Sequence, residues 1–440
     1  MYPSSGLQTA LNKMREMSVQ TNSIYHQYVP VVTDSTTIGQ FGTPILDASN
    51  IAVMNDFVNL LQKIIYTAVE RKTFNNPLAQ LEGERMPLGQ FIEDAYVNPA
   101  KARGFNINDF AGLLQKYDAE LGTQYFTVNS DLQYCVTITR DKIRNAFTSW
   151  DSLEGLISGY INSLYNGAYI TRYNQTKGLV LAALTANKVA YETVSAVSDK
   201  TTAEALLEKM RATFSKFQVP STRYNAFNKV KGGDVYLKTW SDPEDIVVLI
   251  SADVNAKIDV TALAAAFNID KASFLGRVIV VDDFSQYNDD NTLAVDGSAI
   301  QAMICDKAWF KIKTQDFAME DFRNPNNRSW NYYLNDVRMV NYSLFANALV
   351  FTTTAPTVPA TAITAQSTAS VKAGETITVP FTVTPNNATT TVTATSSATS
   401  KATVTVSGRN AVIAGVAAGS SNITLTAGTY TATIAVTVTE

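Results

Sequence analysis

The feature that most constrains this chain is an abrupt change of composition near residue 352. From Thr352 to Glu440 the sequence is built mainly from Thr, Val and Ala and holds only five charged residues, Lys372, Glu375, Lys401, Arg409 and Glu440. The preceding residues are rich in aromatics and carry the remaining charges. Two compositions imply two cores, and 440 residues exceed what one core usually serves. The stretch TTTAPTVPATA, with Pro356 and Pro359 among small residues, has the makeup of an extended linker. The expected division is a first domain over 1–354, a linker over 355–361 and a second domain over 362–440.

In the second domain, Thr376 to Val383, Ala402 to Val406, Ala411 to Ala414, Asn422 to Thr426 and Tyr430 to Thr439 alternate apolar and small polar residues, punctuated by Gly408, Gly415, Gly419 and Gly428. Period-two strands separated by Gly and Asn turns predict a small all-β sandwich. It has neither Cys nor Trp, so it is not of antibody type. The run VTVSGRNAVIAGVAAGSSNITLTAGTYTATIAVTV resembles a bacterial Ig-like domain of group 2: a strand, a turn, an apolar strand ending in Gly-Val, a Gly-containing turn and a pair of Thr-rich strands.

The first domain reads as α+β. Val53, Phe57, Leu60, Leu61, Ile64, Ile65 and Ala68 recur at helical spacing and predict a helix over 50–70. A longer helix is predicted over 151–184, with Asp151 as cap, Glu154 as the capping-box acid and Leu153, Leu156, Ile157, Tyr160, Ile161, Leu164 and Ala168 on one face. Two more are predicted over 202–217 and 260–267. Strands are expected in QYFTVNSDLQYCVTITR, VYLKT, DIVVLIS, GRVIVVDDF, AMICDKAWFKIKT and RMVNYSLFANALVF. Between the first two helices lies a turn-rich excursion beginning at Phe74. A long irregular segment inside an otherwise compact domain is usually functional or an arm.

The inventory of reactive groups argues for structure over chemistry. His26 is the only histidine, so imidazole-dependent nucleophilic sites and histidine-based zinc sites would all have to use it. Cys135 and Cys305 are far apart and read as free structural thiols. Asp282-Asp283, Asp289-Asp290 and Glu320-Asp321 are adjacent acids, more often solvated loops than acid–base pairs. The run Asn288 to Gly297 lacks the alternate-position ligand spacing of a calcium loop. Nucleotide-cradling and nucleophile-elbow motifs are missing from the sequence. Arg323, Arg328, Trp330, Tyr332, Tyr333, Arg338 and Tyr342 could stack on single-stranded bases, but the same mixture builds cores and subunit interfaces. A net charge of −4 with no long basic run does not describe a dedicated nucleic-acid binder. No apolar run reaches the roughly 20 residues of a membrane span. The N-terminal MYPSSGLQTALNKMREMSVQ lacks a signal peptide's charged and apolar regions, so folding in a cytoplasm is expected.

Eight segments, in order, resemble the major capsid protein of the small short-tailed phages typified by the Bacillus phage phi29. They are FNNPL (Phe74 to Leu78), PLGQFIEDAYV (Pro87 to Val97), AFTSWDSLEGLISGYINSLYNGA (Ala146 to Ala168), EKMRATFSKFQVP (Glu208 to Pro220), DVTALAAAFNIDKASFLGRVIVVDDF (Asp259 to Phe284), DKAWF (Asp306 to Phe310), RNPNNRSWNYY (Arg323 to Tyr333) and FANALVF (Phe345 to Phe351). The first 50 residues carry little of the resemblance. The resemblance implies an HK97-like capsid fold: an N-terminal arm over about 1–50, an extended E-loop over about 74–134, a spine helix over about 151–184 and an axial region over about 245–306. It implies a shell-forming protein of the virion, assembled in the host cytoplasm, that is not an enzyme and needs no cofactor or metal. Its implied partners are itself, a scaffolding protein, the portal and, nonspecifically, packaged DNA, with no membrane. Pro87, Leu88, Phe91 and Ile92 are the candidate intersubunit contacts of the E-loop. The competing readings are a tail or neck component, a bacterial surface adhesin and, most remotely, an enzyme.

Overall fold

The computed structural model describes the chain apart from residues 1–2, 48, 69–73, 87–90, 103, 105–114, 232–235, 259–277 and 291. The described helices used below are α1 (Ser5–Gln20), α2 (Ile38–Leu46), α3 (Ile51–Ala68), α4 (Trp150–Thr185) and α5 (Lys200–Phe217). The strands before residue 353 are β1 (Ile92–Val97), β2 (Leu121–Phe126), β3 (Ser130–Thr139), β4 (Ala190–Thr193), β5 (Ile246–Ser251), β6 (Val278–Val281), β7 (Gln286–Tyr287), β8 (Leu293–Val295), β9 (Ile300–Asp306), β10 (Phe310–Asn324), β11 (Ser329–Tyr342) and β12 (Ala348–Thr352). Two compact units emerge, the first from residues 1–91, 127–176 and 312–340, the second from 92–126, 177–311 and 341–440.

In the first unit, helices pack beside a three-stranded sheet of order β10-β11-β3. The side chain of Ser4 caps α1 by accepting from Leu7 N, and Leu7, Ala10, Leu11 and Met14 fall on one buried face. Thr37 and Gln40 form a capping box on α2, which buries Phe41 and Ile45. These side chains join Val53, Phe57 and Leu61 of α3, Trp150, Leu153 and Leu164 of α4, and Trp330, Tyr332 and Leu334 of β11 in one core. Much of the segment expected as the N-terminal arm thus contributes to this core. Burying each large apolar side chain contributes roughly 1.5–3 kcal/mol, and the segment Ser5 to Leu46 places many of them in the chain's own core.

The helix predicted over 151–184 is α4, Trp150–Thr185, but its cap differs from expectation. The Ser149 hydroxyl accepts from Ser152 N at 3.1 Å, so the cap lies two residues before the predicted one, Asp151, and the helix starts at Trp150. Glu154 accepts from the Ser4 hydroxyl at 3.0 Å, joining two helix starts.

In the second unit, a mixed sheet runs β4-β12-β9-β5-β6. Pairs β4–β12 and β5–β6 are parallel, while β12–β9 and β9–β5 are antiparallel. Strands β9 and β12 are buried almost throughout, as nearly unbroken apolar runs should be when both sheet faces are covered. On one face Ala203, Leu206, Met210, Phe214 and Phe217 of α5 pack on Ile246, Val248, Ile250, Ile304 and Phe351. Asp199 caps α5 through Thr202 N, so this helix begins at Lys200, where 202 is predicted. Of VYLKT, Val235 lies outside the described residues, and Tyr236–Thr239 form no strand; of these four, Thr239 alone makes a bridge, to Ser221. QYFTVNSDLQYCVTITR splits into β2 and β3, which belong to different sheets. The helix expected over 260–267 lies outside the described residues.

Residues 362–439 form two facing four-stranded sheets. Strands β13 (Ala362–Ala365), β14 (Thr368–Lys372), β15 (Thr376–Thr384), β16 (Val392–Ser396), β17 (Ala402–Ser407), β18 (Asn410–Gly415), β19 (Gly419–Ala427) and β20 (Tyr430–Thr439) order as β13-β15-β18-β17 and β14-β20-β19-β16. Val379, Phe381 and Ile413 of one sheet and Ile423, Leu425, Ile434 and Val436 of the other share one core. The alternation follows from period-two strands with one face inward. The linker expected over 355–361 is shorter than its Pro and Thr content suggests. Val358 N donates to Thr389 Oγ1 and Ala360 N to Thr390 Oγ1, both at 2.8 Å, so the chain is already part of the sandwich there.

Candidate assembly surfaces

Of the four candidate contact residues, Pro87 and Leu88 lie outside the described residues. Phe91 is 67% exposed, and Ile92 opens β1, half-buried. Strands β1 and β2 pair antiparallel in a closed register from Ile92↔Phe126 to Val97↔Leu121 and, among the described residues, belong to no larger sheet. Two-stranded ribbons are marginal on their own in water. This one is anchored along its length within the second unit: Tyr96 stacks on Phe345 at 6.1 Å between centroids and donates its hydroxyl to Lys238 O at 2.5 Å, Gln124 Nε2 donates to Tyr342 O at 3.1 Å, and the Lys311 ammonium lies 3.0 Å from Asp94. Gly122 permits that approach, because a Cβ there would lie 2.7 Å from the Phe345 ring and 2.8 Å from Leu237. Val97, Leu121 and Tyr125 are exposed along the ribbon. The ribbon thus offers an apolar surface and two strand edges on which another chain can pair.

The N-terminal base of the excursion is fastened within the first unit. Gly83 N donates to Ile312 O at 2.8 Å and Met86 N to Thr314 O at 2.9 Å, adding this segment to the edge of β10. Beneath it lies an ion cluster that the sequence reading does not foresee. Arg172 of α4 grips Asp336 of β11 with two bonds, Nε to Oδ2 at 2.9 Å and a terminal nitrogen to Oδ1 at 2.6 Å. Glu82 accepts from Arg338 at 2.6 Å and lies 3.6 Å from Arg172. The Arg172 guanidinium also sits 4.2 Å from the centre of the Phe317 ring. Arg338 and Asp336 are almost wholly buried. The available signal is alternation: Tyr332, Leu334, Asp336, Arg338 and Val340 share the inward phase of β11, so two charges there require buried partners.

The other reactive side chains make the following contacts. Asp282 and Asp283 hold the ammonium of Lys177, whose side chain is 2% exposed, at 2.9 and 3.4 Å. Asp290 accepts from the Thr292 hydroxyl and from Thr292 N, and Asp296 accepts from Ser298 N; these bonds cap turns and hold both carboxyls below the usual range. The His26 carbonyl accepts from Arg15 at 3.0 Å. In the aromatic stretch, Trp330, Tyr332 and Arg338 are buried, Tyr342 stacks on Trp309 at 5.3 Å, and Arg323 and Arg328 are exposed near the β10–β11 turn. Cys305 is buried and its thiol pushed well up by desolvation, while Cys135 is exposed. Among the described residues no three His, Cys, Asp or Glu side chains gather as metal ligands, and no helix is long and apolar enough to cross a membrane.

Residues 11–352 match the family model of the Phi29-like phage major capsid protein. The chain belongs to that family. The match begins at residue 11, further toward the N-terminus than the eight resembling segments reach. The major capsid protein of Bacillus phage B103 is 31% identical over 360 residues, covering 80% of this chain and 75% of that protein. That of Bacillus phage PZA is 30% identical over 334 residues, covering 74% and 69%. Among solved structures, the capsid of Staphylococcus phage Andhra matches with a TM-score of 0.54 at 15% identity, over 65% of this chain and 86% of that one. The α+β fold is HK97-like, and the chain is a phage major capsid protein, a virion component of the kind that forms homo-oligomeric shells. The sandwich lies beyond the residues matched by the family.

Proposed function

We propose that this capsid protein closes into pentamers and hexamers that tile an icosahedral or prolate shell around double-stranded DNA. The observation that carries the mechanism is the β1–β2 ribbon, a two-stranded excursion with exposed Phe91, Val97, Leu121 and Tyr125 and unshared edges. Read as the E-loop, it satisfies its apolar side chains and backbone on the neighbouring subunit. Repeating such a heterologous contact around an axis closes a ring. In this reading α4 is the spine of the peripheral domain and the β5–β9 region the axial domain. The sandwich is a group 2 bacterial Ig-like domain on the outer surface, since a nearly uncharged, Thr-rich module suits weak external binding better than contact with DNA. Assembly takes place in the host cytoplasm, with a scaffolding protein and the portal as further partners and DNA held without sequence preference. The chain performs no catalysis.

The test is Leu88→Asp combined with Phe91→Asp, read by sedimentation of assembly reactions and by denaturant unfolding of the unassembled subunit. Shell formation should be lost with the unfolding midpoint nearly unchanged. Normal assembly, or a subunit that no longer unfolds cooperatively, would show that the segment is ordinary intradomain structure.

A further inference from the structure

The β7–β8 hairpin and a groove at the end of α5 are complementary surfaces that the ribbon mechanism does not use. The hairpin belongs to the second unit and consists of two short strands that, among the described residues, pair only with each other. Tyr287, Leu293 and Val295 are exposed on it, its tip carries Asp289 and Asp290, Asp296 follows β8 at the base, and the sequence from Phe284 to Ser298 holds no Lys or Arg. Its base is rigid: Gly297 approaches so closely that a Cβ would lie 2.3 Å from Phe284 O, and Tyr287 Oη donates to Asp283 at 2.6 Å. Lys177 sits beside Asp282 and Asp283 at the base, so the acids at the tip dominate the hairpin's outward charge. An apolar, acidic, two-stranded projection of this kind gains stability by docking.

The groove has a volume of about 570 Å³ and is lined by Lys216, Val219, Pro220, Arg223, Tyr224 and Lys238, together with small hydroxyl residues and without an acid. Val219 is 61% exposed, and Tyr236 and Trp240, flanking Lys238 in sequence, are also exposed. The two features lie at opposite ends of the five-stranded sheet. Tyr224 O accepts from Ala348 N, where Ala348 faces Cys305, whereas the hairpin leaves β6 at Val281 and re-enters β9 at Ile300, where Thr352 faces Ile300. A seven-residue strand such as β9 separates these ends by roughly 20 Å. One chain therefore presents an acidic, apolar tongue at one end and a basic, apolar groove at the other, the arrangement a head-to-tail ring requires.

We propose that the Gln286–Val295 hairpin of one copy seats in the Lys216–Arg223–Lys238 groove of the next, a contact that rests on the reading of the chain as a ring-forming capsid subunit. Val295 and Leu293 meet Val219 and Tyr224, while the tip acids face the three cations. Charge complementarity sets the direction of the ring, because groove against groove or hairpin against hairpin brings like charges together.

The test uses three full-length variants: Arg223→Glu with Lys238→Glu, Asp289→Lys with Asp290→Lys, and all four substitutions together. Thermal unfolding of each unassembled subunit verifies folding. The concentration at which rings or shells form should rise by more than about tenfold in each double variant and return toward the unmodified value in the fourfold one. A groove variant that assembles at the unmodified concentration, or a fourfold variant no better than its parents, overturns the contact and leaves the capsid reading in place. If the hairpin variant fails to fold, a bifunctional amine–carboxyl cross-linker applied to mixed isotope-labelled and unlabelled copies decides. Lys238 should join Asp289 between chains, and labelling confined to other pairs overturns the contact. Failure of the unmodified chain to form any ring or shell instead counts against the capsid reading and takes this contact with it.

Discussion

Replacing Asp336 by Ala removes both partners of the Arg172 fork and leaves a guanidinium whose side chain is 10% exposed. Only Glu82, 3.6 Å away and already engaged by Arg338, remains to compensate it. Breaking one side of a buried ion pair costs about 3–5 kcal/mol, because the orphaned charge keeps its desolvation penalty. The Arg85–Asp316 pair supplies the contrast, since its side chains are 68% and 38% exposed. Asp316→Ala should cost less than about 1 kcal/mol. Removing both charges of the buried pair together, as Arg172→Met with Asp336→Leu, should restore stability to near the unmodified level or above it, since an apolar pair of similar volume often does as well. Urea unfolding of the unassembled subunit at fixed pH measures all three, with the midpoint converted through the slope. A loss below about 1 kcal/mol for Asp336→Ala, matching the exposed pair, would refute the claim that this cluster is desolvated and that it fastens Glu82 and the base of the excursion to α4 and β11.

Three further outcomes are expected. Asn387→Ala should loosen the sandwich from the rest of the second unit, since the Asn387 side chain donates to Ala186 O at 2.5 Å and to Asn187 O at 3.4 Å; faster protease cleavage over residues 353–357, with the sandwich itself still folded, checks this. Burial lowers the Lys229 ammonium from 10.5 to about 8, so between those values the unfolded chain binds more protons than the native one and stability rises with pH. The stability advantage of Lys229→Met over the unmodified chain should therefore shrink between pH 8 and pH 10, and a flat difference in urea unfolding would count against the shift. In the unassembled subunit a maleimide should label Cys135 quickly and Cys305 only after denaturation, as mass spectrometry of timed reactions will show.

Patterns tied to one face of one element were the most legible in the sequence. The apolar spacing of α3 and α4 and the alternation of the sandwich strands emerge in the structure near their expected places, because each element buries the face its own period defines. The cap of α4 was misplaced because Ser149 and Asp151 are both good caps, and the choice between them is made by local backbone geometry. VYLKT alternates as a strand does, yet Leu237 is drawn into a small cluster with Phe227 and Phe345, and Asn228 bonds its backbone in place of a ladder. The buried ions were missed because Glu82, Arg172 and Asp336 are brought together only by the tertiary fold, across 254 residues of chain. The helix of the N-terminal segment is legible as well, since Leu7, Leu11 and Met14 repeat at the spacing of a helix with one apolar face.

The central claim, that copies of this chain close a shell through the ribbon, is tested most directly by electron cryo-microscopy of particles assembled from it, at a resolution that traces the backbone. The account predicts a closed shell with the chain in five- and six-membered rings and with β1 and β2 lying on the adjacent subunit. A tube, an isolated ring or a shell in which the exposed side chains of the ribbon touch no neighbouring subunit would contradict it.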